Sequence, residues 1–208
     1  MNALLIVNFL KSATEQMNIH KDDLIQKDSI VGDGDLGLTM SDGFTAAYNA
    51  IKELNEQDCG RILYFAGKAM STAVPSTMGT LMASGLMEAG KQLKGVTDLS
   101  RENINTIFSA YLEGVMRLGK ASIGEKTFVD GLAPAVDSLR QTSSAPLKES
   151  AEKAAEAALR GYEATKGMLA IHGRAATRGE ASRDLLDPGA YVAALLMKAF
   201  ADSLTITP

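Results

Sequence analysis

The sequence predicts an all-α protein, and three observations support this. Apolar residues recur every three or four positions over most of the chain, which is the period of a helix rather than of a strand. Runs of β-branched residues bounded by hairpin dipeptides are missing from the sequence. Ten methionines and many alanines suit close packing between helices. We therefore expect a single helical domain over residues 1–208.

The first half of the chain is predicted to form four long helices. The opening run LLIVNFL has helical spacing, and so does ILYFAGKAM in the third helix. The second and fourth helices each follow a glycine-containing segment, VGDGDLG and STMGT respectively. The predicted ranges are 3–17, 38–54, 58–73 and 79–94.

The second half of the chain is predicted to form four more helices. Ser100 precedes RENINTIF as an N-cap, and GKASIGEKT precedes the next helix. The turn SSAPLKES leads into the seventh helix, and Asp187 followed by Pro188 places a capping carboxylate directly before the eighth. The predicted ranges are 101–118, 127–142, 147–166 and 189–203.

Composition and charge exclude several classes of protein. The net charge of −4 is spread along the chain, so we expect no basic face and no nucleic-acid partner. Cys59 is the single cysteine, which excludes an internal disulfide framework and a multi-cysteine zinc site. The apolar run at the start ends at Lys11 without a basic region before it, so neither a membrane span nor a signal peptide is predicted. We expect a cytoplasmic protein.

Glycine is concentrated in four connections, at residues 31–37, 76–80, 119–127 and 172–190. Each of them lies directly before a predicted helix, where free backbone N–H groups and the helix dipole favour anions. If alternate connections of an antiparallel bundle gather at one end, these four segments form a single anion site.

The segment DSIVGDGDLG contains the strongest chemical signal. Asp33 and Asp35 point to the same side of the chain if this glycine-containing stretch is extended, and Asp28 can fold back towards them. Three carboxylates this close repel one another unless a cation lies between them. An all-oxygen anionic site favours a hard ion such as Mg²⁺, which often shares phosphate ligands. A simple capping turn is the alternative explanation of an isolated DGD.

An EF-hand loop is excluded by position. Counted from Asp33, the fifth residue is Gly37 and the twelfth is Phe44. That loop needs an oxygen ligand at the fifth position and a bidentate glutamate at the twelfth.

The four segments together resemble one family. VGDGDLGLTM is similar to the GDGDHG-type metal motif of the nucleotide-binding L subunit of dihydroxyacetone kinases, the DhaL family. The remaining motifs follow in the same order as MGT, GEKTFVDGLAPAVDSL and GRAATRGEASRDLLDPGA. The resemblance covers essentially all 208 residues, and four ordered motifs make it far more specific than GDGD alone.

This resemblance implies an antiparallel eight-helix barrel that binds ADP or ATP at one end through two Mg²⁺ ions. The implied metal ligands are Asp28, Asp33 and Asp35, and Arg174 is the implied catalytic cation that bridges phosphate oxygens. The implied nucleotide contacts are Leu36, Gly37, Leu38, Thr39, Gly79, Thr80, Gly119, Phe128, Arg174, Asp187, Pro188 and Gly189.

The resemblance also implies a division of labour between subunits. The L subunit supplies the phosphoryl group, and a separate K subunit holds the C3 or C4 ketose covalently. The donor is either exchangeable ATP or a phosphohistidine protein, the M subunit of a phosphotransferase system, which rephosphorylates bound ADP. We expect the second, because ATP-dependent forms are often fused to the K domain.

Three alternatives to a dihydroxyacetone kinase subunit remain open. The substrate of the kinase could be a tetrulose. A domain of fatty acid kinases is related, but its motif usually contains GDGDTG and its chain continues much further. A nucleotide-sensing regulator that binds a transcription factor could retain the same aspartates.

Several positions depart from the family motif. Leu36 replaces a histidine, Thr77 and Met78 replace a glycine pair, Glu125 replaces an aspartate, and Ala176 replaces a serine. The metal ligands are unaffected, but the phosphate donor and the substrate are left open by these changes. Among other residues, we interpret Lys126 and Glu180 as loop ion pairs, His172 and His20 as idle, and Cys59 as an inert thiol.

Overall fold

Helices form nearly all of the regular structure in residues 1–205, the part of the chain that this computed structural model describes. The elements are α1 (Ala3–Ile19), α2 (Lys21–Val31), α3 (Leu36–Ile51), α4 (Cys59–Ala73), α5 (Thr77–Gln92), α6 (Arg101–Gly119), α7 (Phe128–Gln141), α8 (Leu147–Ala164), a 3₁₀ segment (Arg174–Asp184) and α9 (Pro188–Ser203). Apart from these helices, the described residues contain an isolated β-bridge between Asn2 and Asp98. The predicted all-α fold is confirmed.

Eight of the nine α-helices in residues 1–205 form a closed ring. Each helix from α3 to α9 packs against the next one along the chain, α9 packs against α1, and α1 packs against α3. Helix α7 also contacts α9 across the end of this series. The eight helices of the ring are the eight that the sequence predicts, with boundaries within three residues of the predicted ones. The arrangement agrees with an eight-helix barrel.

Helix α2 is not among the predicted helices, so the prediction was incomplete here. It packs mainly against α3 and does not belong to the ring. Its sequence, KDDLIQKDSIV, buries only Leu24 and Val31. With only two buried residues, the apolar stripe is too weak for a helical period to be recognised in the sequence. The omission matters because α2 carries Asp28.

Side-chain caps mark the starts of several helices of the ring. Ser100 caps α6 and forms a capping box with Asn103, as its position before the helix predicts. Asp187 caps α9 and Pro188 occupies the first turn, which also confirms the prediction. Helix α5 is capped by Ser76 and therefore begins at Thr77, two residues before its predicted start.

Three phenylalanine rings pack together in the core and link α1, α6 and α9. Phe9, Phe108 and Phe200 are all buried, and each pair makes an edge-on contact at 4.7 to 5.8 Å between ring centroids. Such contacts add to the free energy gained by burying the rings themselves.

Cys59 is also buried, and this raises the pKa of its thiol, consistent with an inert cysteine. Nowhere in residues 1–205 is a helix both long and apolar enough to cross a membrane.

Gly37 sets the distance between α2 and α3. A Cβ atom at this position would overlap the backbone oxygen of Lys21 and lie 2.7 Å from Cγ1 of Ile25. Glycine therefore allows the two helices to approach closely next to the aspartate segment.

Replacing Gly37 by alanine should destabilise the protein, because the new methyl group would force α2 away from α3. The free energy of unfolding is expected to fall by about 1–3 kcal/mol, as for other insertions into packed sites. Asp42→Ala, at an exposed position of the same helix, is the control and should change it by no more than about 0.5 kcal/mol. Urea unfolding measures both, and equal stability of the two variants would show that α2 is not closely packed.

Candidate nucleotide and metal site

A cavity of about 440 Å³ lies at one end of the barrel. All four glycine-containing segments contribute residues to its lining, so their predicted convergence is confirmed. The first residues of α3, α5, α7 and α9 all border the cavity. Four helix N-termini therefore direct their positive ends towards one space, which favours an anionic ligand.

Three carboxylates meet on one side of this cavity. Asp28 is on the last turns of α2, Asp33 is in the connection, and Asp35 directly precedes α3. One carboxylate oxygen from each residue lies within 4.8 Å of the others. The backbone N–H of Leu36 donates to Oδ2 of Asp28 at 3.3 Å, which holds the end of α2 against the start of α3.

The electrostatics of the cluster are those of an anionic site. Partial burial, followed by the charges of Asp33 and Asp28, raises the pKa of Asp35 above its ordinary value. Arg174 opposes this effect, and its Nη2 atom lies 2.7 Å from Oδ2 of Asp33.

The donor set fits a hard divalent cation. Its members are carboxylates alone, without histidine nitrogen or cysteine sulfur, and oxygen ligands are those that Mg²⁺ prefers. Asp33 and Asp35 are exposed, so rotation of their side chains can adjust the distances between the oxygens. A cation would also relieve the repulsion from Asp33 and Asp28, which after partial burial raises the pKa of Asp35.

The structure brings together most of the sequence-predicted site residues. Ten of them line the cavity: Asp28, Asp33, Asp35, Leu36, Gly119, Phe128, Arg174, Asp187, Pro188 and Gly189.

Five of the sequence-predicted residues do not line the cavity: Gly37, Leu38, Thr39, Gly79 and Thr80. Gly37 faces α2 instead, and Leu38 is exposed. Gly79 packs against Val74, and the hydroxyl of Thr80 donates to the backbone oxygen of Ser76.

One wall of the cavity is apolar. Met78 and Leu81 from α5 lie beside Val115 of α6 and Phe128 of α7. Because the family motif has a glycine pair at Thr77 and Met78, this wall is bulkier than the resemblance implies. Such a wall suits a flat apolar group of a ligand whose polar part contacts the carboxylates and the helix N-termini.

Comparison with known proteins identifies the family. The profile of the DAK2 domain matches residues 30–202. The chain belongs to the DAK2 domain family. Within that match lie Asp33, Asp35 and Arg174, whereas Asp28 lies just before it.

Two relatives align with most of this chain. The ADP-binding subunit DhaL of PEP-dependent dihydroxyacetone kinase 1 from Listeria innocua is 32% identical over 193 residues, which is 93% of this chain and 92% of that protein. The L-erythrulose 1-kinase of Mycolicibacterium smegmatis is 33% identical over 180 residues, 86% of this chain but 32% of that protein.

Solved structures of a DAK2 relative share the fold. The native dihydroxyacetone kinase of C. freundii is similar with a TM-score of 0.74 and 25% identity, over 98% of this chain and 35% of that chain. The same kinase in complex with AMP-PNP and Mg²⁺ gives a TM-score of 0.74 at 23% identity, over 96% of this chain and 34% of that chain.

For two residues of this DAK2 site, the structure shows contacts that the sequence did not predict. Lys126 lines the cavity but is not part of a loop ion pair, because its buried ammonium group donates to the backbone oxygens of Thr165 and Leu185. His172 also lines the cavity and is not idle, since its Nε2 atom is 2.7 Å from Oε2 of Glu125. No sequence signal indicates either contact, because the partners are distant along the chain.

Asp187 is a buried carboxyl group that lines the cavity. It accepts a hydrogen bond from the N–H of Ala190 at 2.6 Å and lies near the charged Lys126. Burial dominates these favourable contacts and raises the pKa of Asp187 from 3.8 to about 7. The folded protein therefore keeps this proton at a pH where the unfolded chain has lost it.

Replacing Asp187 by asparagine should remove part of the pH dependence of stability. Because the folded pKa is raised, the wild-type free energy of unfolding should fall between about pH 4 and pH 7, by at most about 1.4 kcal/mol per pH unit from this residue. Asparagine retains the cap without titrating, so Asp187→Asn should lose that slope. Urea unfolding at several pH values measures this difference, with exposed Asp184→Asn as the control. If the free energy of unfolding depended on pH in the same way in wild type and Asp187→Asn, the raised pKa of Asp187 would be contradicted.

Proposed function

We propose that the chain is the nucleotide-binding subunit of a small-ketose kinase and transfers a phosphoryl group from a Mg²⁺-bound nucleotide. The observation that carries this proposal is the meeting of Asp28, Asp33 and Asp35 with four helix N-termini in one cavity. The carboxylates suit cations and the helix ends suit phosphate anions, so the site offers both halves of a metal nucleotide. The named DhaL and kinase relatives support the same function.

The three aspartates are the proposed ligands of two Mg²⁺ ions. When bound there, Mg²⁺ neutralises charge on the phosphate oxygens, which is the main requirement of phosphoryl transfer. The protein's own part is to hold the phosphate chain in place with backbone N–H groups and with the guanidinium of Arg174. The apolar wall of Met78, Leu81 and Phe128 is the proposed site of the base.

The cavity has little that could activate a ketose. Among the described residues that line it, His172 is the one histidine, and Glu125 already engages its Nε2 atom. We therefore assign the ketose to a separate K subunit, in keeping with the relative from Listeria innocua being named as one subunit of a kinase.

The donor proposed here is a phosphohistidine protein of the phosphotransferase type, the M subunit. The name of the Listeria innocua relative specifies dependence on PEP, and this chain covers 92% of that protein. The proposed substrate is dihydroxyacetone. A tetrulose is the second candidate, because the Mycolicibacterium smegmatis relative is named as an L-erythrulose kinase.

Calorimetric titration with ADP tests the nucleotide site. Wild type should bind ADP tightly only when Mg²⁺ is present. Asp35→Asn should weaken this binding by at least about 100-fold, because loss of a residue that merely supports a metal ligand can already lower metal affinity by up to that factor. Asp42→Asn, an exposed carboxylate on α3, should bind as wild type does. Native mass spectrometry of the purified protein should show bound ADP and Mg²⁺ in wild type and neither in Asp35→Asn. Binding that is equal with and without Mg²⁺ would contradict the metal assignment.

Phosphorylation assays distinguish a kinase subunit from a sensor. With a K subunit and the phosphohistidine donor, wild type should phosphorylate dihydroxyacetone or erythrulose, and Asp35→Asn should not. A protein that binds Mg²⁺ and ADP but supports no phosphorylation of either ketose would instead be a nucleotide-sensing regulator.

A further inference from the structure

The connection between α8 and α9, residues 165–187, is long and only weakly held by apolar contacts. Between residues 166 and 186, Ala170 and Ser182 are the only buried residues. A segment with so little burial opens easily unless polar contacts hold it. Its position matters because it carries Arg174, whose Nη2 atom lies 2.7 Å from Oδ2 of Asp33 in the carboxylate cluster.

Lys126 holds both ends of this connection. Its Nζ atom donates to the backbone oxygen of Thr165 at 2.6 Å and to the backbone oxygen of Leu185. The residue is 2% exposed, which is unusual for a lysine and unfavourable unless the ammonium group is hydrogen-bonded. Because one buried cation joins the end of α8 to the residues just before α9, it closes the base of the loop.

Glu125, the preceding residue, holds the middle of the same connection. Its Oε2 atom lies 2.7 Å from Nε2 of His172, and its backbone oxygen accepts the N–H of Ile171 at 3.4 Å. The N–H of Ser122 donates to the Glu125 carboxylate at 2.7 Å and fixes its position. Two adjacent residues therefore contact the loop at its start, middle and end.

The backbone of this dipeptide is itself held in an unusual conformation. Lys126 has a φ of 62°, in the left-handed region that non-glycine residues rarely adopt. The following residue, Thr127, caps α7, and its N–H donates to Oδ2 of Asp130 at 2.7 Å. A left-handed lysine beside a rigid cap is a strained feature of the kind that is retained for function.

We infer that Glu125 and Lys126 are positioning residues that fasten the 165–187 connection and thereby hold Arg174 against the carboxylate cluster. The role of Arg174 towards phosphate rests on the proposed function, whereas the fastening of the loop does not. Lys126 and Glu125 act through the loop, and they are distinct from the residues proposed to touch the nucleotide.

Limited trypsin digestion of the full chain without ligand tests the fastening. Cleavage after Arg174, Arg178 or Arg183 should be about tenfold faster in Lys126→Met than in wild type, because the loop opens more often. The control is Lys120→Met, which removes an exposed lysine with the same left-handed backbone from the connection between α6 and α7 that also contains Lys126, and it should be cleaved as wild type is. Glu125→Ala, at a more exposed position, should also be cleaved faster. Cleavage of both Lys126→Met and Glu125→Ala at the wild-type rate would overturn the inference.

Circular dichroism establishes that each variant is folded. If Lys126→Met does not fold, Glu125→Ala alone decides: faster cleavage supports the inference and wild-type cleavage overturns it.

A double-mutant cycle with Mg²⁺ and ADP tests whether the effect passes through Arg174. Lys126→Met should weaken ADP binding about tenfold when Arg174 is present but hardly at all when Arg174 is already replaced by alanine. The reason is that Lys126 is inferred to affect the nucleotide only by positioning Arg174. Equal weakening in both backgrounds would mean that Lys126 has only a general structural role, contrary to the inference. If wild type itself does not bind ADP, the proposed function fails, and the digestion experiment still decides whether the loop is fastened.

Discussion

Repulsion among Asp28, Asp33 and Asp35 is the constraint on which the site depends. One carboxylate oxygen from each lies within 4.8 Å of the others, and partial burial, followed by repulsion from Asp33 and Asp28, raises the pKa of Asp35. Arg174 is the cation that reaches the cluster, and it contacts Asp33 directly. Such an arrangement is unfavourable by itself and becomes favourable when a divalent cation binds, so the fold is prepared for a ligand.

The barrel supplies the stability and the geometry that this cluster needs. Alternate helices begin at the same end of the ring, so α3, α5, α7 and α9 present their N-termini to one cavity. Helix α2 brings Asp28 from outside the ring, and Gly37 allows it to lie close to α3. Cation-binding carboxylates and anion-binding helix ends are therefore adjacent. This is the combination that a metal nucleotide requires.

Much of the fold was predictable because the eight helices of the ring bury a continuous apolar stripe. Helix α2 was not, since it buries only Leu24 and Val31 and its pattern is dominated by charge. At the start of α5, the resemblance implied contacts from Gly79 and Thr80, whereas Ser76, Thr77 and Met78 line the cavity. Motif position alone does not say which residues of a helix's first turn face a site.

The aspartates were predictable for a different reason: they are close together in the sequence, and glycines between them allow the turn. Lys126 and Glu125 carried no comparable signal. Their contacts join residues 39, 59 and 47 positions apart, and they depend on a left-handed backbone at a residue that is not glycine. Local patterns cannot specify such contacts, which arise only when the barrel has closed.

Anomalous diffraction from crystals grown with Mn²⁺ and ADP tests most directly whether the three aspartates bind a metal together with the nucleotide. Manganese prefers the same oxygen ligands as magnesium, and its anomalous signal identifies its position. Two strong peaks are expected within coordination distance of Asp28, Asp33 and Asp35, shared with the phosphates of ADP. Peaks elsewhere on the protein, or ADP bound in the cavity without manganese at these carboxylates, would contradict it.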